Sequence, residues 1–189
     1  MANIIIISGP QAVGKMTVAE KLKEKIGYSL MINHDSIEVS DKIFGKKTDA
    51  QRELNVLIRD ATFNVAIKYD KNIIFTCVVA YDDEKSINYV YKLKDLFEKS
   101  GGKFYFVELE ADLKTRLERN KTPHRLEAKP SKRDTEWAEK DILKTMEKYR
   151  LNSNKGEIDF ENYIRINNTN LLPDEVSDMI IEKFKLLKK

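Results

Sequence analysis

Gly9 and Gly14 enclose four residues and Lys15 follows at once, so the run Asn3 to Thr17 carries the Walker A spacing Gly-x-x-x-x-Gly-Lys. Phosphate binding explains each residue type. The glycines let the backbone turn its N–H groups inward around phosphate oxygens, the start of the next helix adds its positive dipole end, and the Lys15 ammonium reaches the β- and γ-phosphates. Gly9, Gln11, Ala12, Val13 and Gly14 are thus expected to bind a nucleoside triphosphate, with Lys15, Met16 and Thr17 at the helix start and Lys15 also catalytic. A hydroxyl that would bind Mg²⁺ directly is replaced by Met16, whose thioether is too soft for a cation that wants oxygen. Thr17, one residue later, can bond a phosphate or a metal-bound water and is a candidate metal-site residue.

Asn33-His34-Asp35-Ser36 follows the next apolar run, Tyr28 to Asn33. Asp35 has three readings: a base toward an acceptor hydroxyl, a holder of water on Mg²⁺, or a cap for the helix that follows. Asn33, His34 and Ser36 would orient the acceptor. After the apolar run Asn72 to Val79, which bears no carboxylate at its end, Asp82 and Asp83 either line the acceptor pocket or begin a helix favourably. Arg116, Arg119, Arg125 and Arg133 flank or occupy a polar stretch, 121–133, expected to act as a lid; its arginines would neutralise charge on a transferring phosphoryl group, Arg125 and Arg133 catalytically. The alternative for Arg116 and Arg119 is a charged surface helix face.

The elements that must position these groups alternate. Ile4 to Ile7 are β-branched on both faces, as in the centre of a covered parallel sheet. Helical spacing runs over Thr17 to Ile26 with Gly27 as its C-cap, and Thr48 and Gln51 form a capping box for a long helix through Ile67. A strand at Asn72 to Val79, a helix over 84–100, a strand at Lys103 to Leu109 and a helix over 112–120 follow. After the polar stretch come a helix at Asp134 to Tyr149, into which Trp137 and Tyr149 are expected to pack, a strand at Tyr163 to Ile166, and a last helix opened by Pro173. This order predicts a three-layer αβα fold around a five-stranded parallel sheet, one domain over 1–189, with ligands at the carboxyl ends of the strands.

Composition narrows the partners. With 34 Lys and Arg against 31 Asp and Glu, the net charge of +3 gives no support to nucleic acid or an acidic membrane surface as partner. Cys77, the single cysteine, excludes an intrachain disulfide and reads as a small buried hydrophobe. No basic leader precedes the first strand and no apolar stretch approaches the roughly 18 residues of a membrane span, so the expectation is a cytoplasmic protein.

The Lys15-Met16-Thr17 ending, Asn33-His34-Asp35, Gly101-Gly102 before a Phe/Val strand, and Lys129-Pro130-Ser131-Lys132-Arg133-Asp134 together resemble the small bacterial P-loop kinase-like proteins grouped as AAA-family ATPases or shikimate-kinase-like proteins. The shift from hydroxyl to Met16 then Thr17 is similar to adenylate-kinase-like P-loops. The resemblance implies the nucleoside and shikimate kinase branch of P-loop NTPases, with ATP and Mg²⁺ as cofactors, Arg119 stacking on adenine beside Arg116, and Asn168 within the 167–169 loop at the adenine edge. Shikimate kinases carry Asp-x-Asp after the second strand and Gly-Gly after the third, where this chain has Asn33-His34-Asp35 and Thr76-Cys77, so shikimate is not implied. The expectation is a monomer or homodimer that moves the γ-phosphate of ATP to a nucleoside, nucleotide, metabolite or antibiotic; an ATP-binding regulatory protein and a polynucleotide-end kinase are the alternatives.

Overall fold

The computed structural model describes residues 1–122 and 134–187. Five strands, β1 (Ile4–Ser8), β2 (Ser29–Met31), β3 (Ile73–Thr76), β4 (Phe104–Glu110) and β5 (Tyr163–Asn167), form one parallel sheet in the order β2-β3-β1-β4-β5. The helices among the described residues are α1 (Lys15–Ile26), α2 (Asn33–Phe44), α3 (Asp49–Lys68), α4 (Glu84–Lys99), α5 (Leu113–Asn120), α6 (Thr135–Lys148) and α7 (Pro173–Phe184).

Period-two geometry divides the isoleucines of β1 between two cores. Ile4 and Ile6 pack with Phe75, Phe106, and with Phe63 and Phe97 from α3 and α4. Ile5 and Ile7 pack with Val107, with Val18 and Leu22 of α1, and with Val176 and Ile180 of α7. Every β1 residue is buried, so the strand that leads into Gly9 is held from both faces. Since β2 and β3 lie on one side of it and β4 and β5 on the other, the loop after β1 opens between two groups of connections.

Two expectations change in the folded chain. The second strand ends at Met31, and Asn33 opens α2, because the Asp35 carboxylate accepts the Ile32 N–H at 2.8 Å and starts a helix where a strand end was expected. Trp137 is 40% exposed, while Ala138 and Ile142 make the buried face of α6. α6 starts at Thr135 because the Asp134 carboxylate accepts the Trp137 N–H, and that capped first turn carries the Trp137 ring on the outer side. α2 also reverses the usual pattern: Ser36 and Ser40 are buried, whereas Val39, Ile43 and Phe44 are 49%, 59% and 48% exposed. The buried serines are satisfied by α3, through Gln51 Nε2 donating to Ser40 Oγ at 3.2 Å and Arg59 Nε donating to Ser36 Oγ at 3.0 Å.

Segment 149–162 returns from α6 to the sheet across a buried carboxylate. Glu108 accepts Asn152 Nδ2, the Ser153 N–H and Oγ, and the Tyr163 hydroxyl at 2.7–2.8 Å. Burial alone would raise this carboxyl, but the hydrogen bonds from Ser153, Asn152 and Tyr163 outweigh it and hold the group below the usual glutamate range. No helix among the described residues is long and apolar enough to cross a membrane.

Candidate functional site

The loop from Gly9 to Gly14 depends on backbone conformations that side chains resist. Gly9 has φ 139°, and a Cβ there would stand 2.4 Å from the Leu109 carbonyl oxygen. Ala12 is left-handed at φ 59°. Gly14, at φ 104°, brings no capping side chain to α1, so the helix enters with its N-terminal N–H groups uncovered by a side-chain cap. Lys15 Nζ lies over the loop, donating to the Gly9 carbonyl at 2.6 Å and the Pro10 carbonyl at 2.7 Å. Val13 turns its side chain into the core beneath and offers the site its backbone alone.

Donors from beyond β4 grip the outside of this loop. Arg119 Nη1 and Asn168 Nδ2 both donate to the Val13 carbonyl, at 3.1 and 2.9 Å, and Arg119 Nη2 donates to the Asn168 carbonyl at 2.8 Å. Arg116 Nε donates to the Gln11 carbonyl at 2.8 Å while its Nη1 lies 3.2 Å from Met146 Sδ of α6. Arg116 is 3% exposed, and burial pushes its guanidinium down to about 10, which leaves it charged at neutral pH. The alternative reading of these two arginines as a charged surface face does not hold for Arg116, whose partners lie inward on the loop and on α6; expected beside Arg119 at the nucleotide, Arg116 is not among the residues lining the cleft over the loop.

A cleft of about 1020 Å³ lies over the loop and α1. Gln11, Ala12, Gly14, Lys15, Met16 and Thr17 contribute to its floor. Arg119, Asn168, Leu171, Leu172 and Pro173 line the end beside the exit of β5; Asn33, His34, Thr76 and Val78 line the end at β2 and β3. The Thr76 hydroxyl accepts the Asn33 N–H at 3.1 Å, tying the first turn of α2 to the end of β3. Behind Asn33, Arg59 Nη2 donates to Asn33 Oδ1 at 2.6 Å and its guanidinium carbon stands 5.5 Å from the centre of the Phe75 ring.

Asp35 is exposed, stands in the first turn of α2 with its carboxylate on the Ile32 N–H, and is not among the residues lining the cleft. Asp83 caps α4 through the Lys85 N–H at 3.2 Å, and Asp82 accepts the Arg150 N–H at 2.9 Å; neither lines the cleft. Cys77 is buried, and that burial pushes its thiol up to about 11. Arg125 and Arg133, with residues 123–133 of the expected lid, lie outside the described residues. Among the described residues no group of three or more His, Cys, Asp and Glu is placed to hold a metal. Next to the loop the cleft offers the Thr17 hydroxyl, which fits a magnesium ion carried mainly by phosphate oxygens and water rather than one caged by protein; the carboxylates in the lining, Glu20 and Glu24, belong to later turns of α1.

Reading the sequence by itself missed Arg59, Thr76 and the Leu171–Pro173 wall. Arg59 had a signal, as a cation inside an otherwise mixed helix, but its partners are 23 and 26 residues away in the chain.

No family model and no curated protein sequence matches the chain. Solved structures do. A gluconokinase from Sinorhizobium meliloti has a TM-score of 0.59 at 15% identity, covering 97% of this chain and 91% of its own. The Mycobacterium tuberculosis APS kinase CysC, in complex with AMPPNP and APS, gives 0.57 at 15%, covering 97% and 98%. Shikimate kinase from Aquifex aeolicus gives 0.52 at 15%, covering 96% of each chain. At these identities the likeness is one of fold, and the fold of this chain is that of the small P-loop kinases.

Proposed function

We propose that the protein is an ATP-dependent phosphotransferase that moves the γ-phosphate of ATP to a small-molecule acceptor. The observation that carries this reading is the single cleft floor formed by Gly14, Lys15 and Thr17, with a different wall at each end. The triphosphate would lie on the loop with its base toward Arg119, Asn168 and Leu171, and the acceptor would enter beside Asn33, His34 and Thr76. Lys15 would exchange the Gly9 and Pro10 carbonyls for phosphate oxygens and stabilise charge on the transferring group. Magnesium, when bound with the triphosphate, neutralises phosphate charge, and Thr17 would hold it directly or through water. Asp35 would act as base or metal-water holder only if its carboxylate left the Ile32 N–H. The fold's occurrence in kinases for gluconate, shikimate and APS supports phosphoryl transfer as the reaction class and leaves the acceptor open.

A second reading, an ATP-binding regulatory protein with little turnover, is favoured by two observations: Asp35 serves as a cap, and the last residue of β3 is Thr76, not an acid. ATP consumption with Mg²⁺ against nucleosides, nucleotides, hydroxy acids, sugars, aminoglycosides and an oligonucleotide 5′ end separates the readings, with Lys15→Ala as the blank. Stimulation by one small-molecule class, lost in Lys15→Ala, supports the kinase. Stimulation by the oligonucleotide alone would move the assignment to a polynucleotide-end kinase, and tight ATP binding with no stimulation would favour regulation.

A further inference from the structure

Two carbonyls of the phosphate loop, those of Gln11 and Val13, point outward to donors supplied by distant parts of the chain, and one donor is unlike the others. Arg119 and Asn168 take the Val13 carbonyl at the cleft's edge, where Arg119 also bonds the Asn168 and Thr169 carbonyls. Arg116 reaches the Gln11 carbonyl from inside the protein, is 3% exposed, and makes no ion pair with any described carboxylate. Its Nη2 is buried without a hydrogen-bond partner among the described residues. A buried cation held by a neutral carbonyl and a thioether is costly, and an uncharged side chain would fill the same space at less cost. Some benefit must offset that cost.

The peptide plane supplies one. In a trans peptide the C=O of one residue and the N–H of the next point in opposite directions, and the chain has no cis peptide among its described residues. Fixing the Gln11 carbonyl outward on Arg116 therefore turns the Ala12 N–H to the opposite side, and fixing the Val13 carbonyl does the same for the Gly14 N–H. Ala12, held at φ 59°, and Gly14 both line the cleft floor. The guanidinium behind Gln11, without an ion pair among the described residues, adds a positive potential in a low-dielectric setting close to where phosphates would lie.

We propose that Arg116 is a positioning residue for phosphate binding: it orients the Gln11–Ala12 peptide and sets a buried positive charge behind the loop, linking that peptide to α6 through Met146. This rests on the reading that the loop binds phosphate. Arg119 differs in lining the cleft itself, where it can touch ligand.

The test is calorimetric titration of adenosine, ADP and ATP into the full chain and into Arg116→Met and Arg116→Lys, with the Ala12 amide resonance recorded in the nucleotide-free proteins. Methionine matches the buried volume without charge or donor, and lysine keeps both. Losing a charge-assisted hydrogen bond and its potential should weaken ADP and ATP by roughly ten- to a hundredfold in Arg116→Met. Adenosine binding should stay within about twofold, and Arg116→Lys should restore most of the loss. Equal losses for adenosine and ADP, or no loss at all, would overturn the proposal and leave Arg116 as packing. If the unaltered chain binds none of the three, the phosphate-loop reading itself fails. The Ala12 resonance still decides positioning: a shift in Arg116→Met that Arg116→Lys reverses supports it, and an unmoved resonance overturns it.

Discussion

The two ends of the cleft are built on opposite principles. At the loop, a strand buried on both faces delivers Gly9 onto the Leu109 backbone, and Arg116, Arg119 and Asn168 bond the loop from outside. At the other end, α2 buries Ser36 and Ser40 against α3 and leaves Val39, Ile43 and Phe44 in solvent. Apolar packing with fixed backbone geometry makes the first end rigid. Hydrogen bonds between two helices make the second end the more easily opened, since each is worth about 1 kcal/mol and water competes for it. Phosphate is the same ligand in every such loop, whereas an acceptor differs from one enzyme to another, so the rigid end is where a constant ligand would bind.

The largest expected effect comes from Gly9→Ala. A Cβ meeting the Leu109 carbonyl at 2.4 Å, at φ 139°, should cost about 3 kcal/mol or more, read as a fall in thermal midpoint. A midpoint within a degree of the parent would mean that the loop is not fixed as described. Next is Glu108→Gln, which tests the buried carboxylate at the end of β4. Because the folded group lies below the usual glutamate range, its contribution is complete above the unfolded value, near 4.5, and is lost as pH falls through the folded value. The variant should lose about 1–3 kcal/mol at neutral pH, and stability measured down the acid side should fall less steeply than in the parent. An unchanged acid limb would show that Glu108 is not the group responsible.

On the softer side, Arg59→Leu leaves Asn33 Oδ1 and Ser36 Oγ without their donor and should cost about 1–2 kcal/mol. Hydrogen exchange should quicken across α2 while β1 and α1 stay as protected as before. Uniform quickening would erase the distinction between the two ends. Smallest is Ile43→Gln, on the exposed face of α2, which should change stability by less than about 0.5 kcal/mol. A larger loss in urea unfolding would show that this face is covered in solution.

Legibility followed the same division. The strand, glycine loop and helix start around Gly9, Gly14 and Lys15 were readable because they are contiguous: all lie within residues 3–17. The Thr48 cap of α3, which accepts the Gln51 N–H at 3.1 Å, was readable for the same reason. α2 was hidden because its buried face is made of serines, which break the apolar periodicity by which a helix is read. Trp137 misled because size suggested burial, while the small Ala138 faces inward.

By itself the sequence determined the alternation of strands and helices apart from α2, the parallel sheet that alternation requires, and the glycine loop between β1 and α1, because local conformation and period-two or 3.6 patterning are carried by neighbouring residues. Only the tertiary structure decided that Arg116 lies behind Gln11, 105 residues away, and Asn168 against Val13, 155 residues away. It also decided that Asp35 turns to its own helix. Which donor meets which carbonyl depends on how β4, α5 and β5 pack beside β1, and no local pattern encodes that distance.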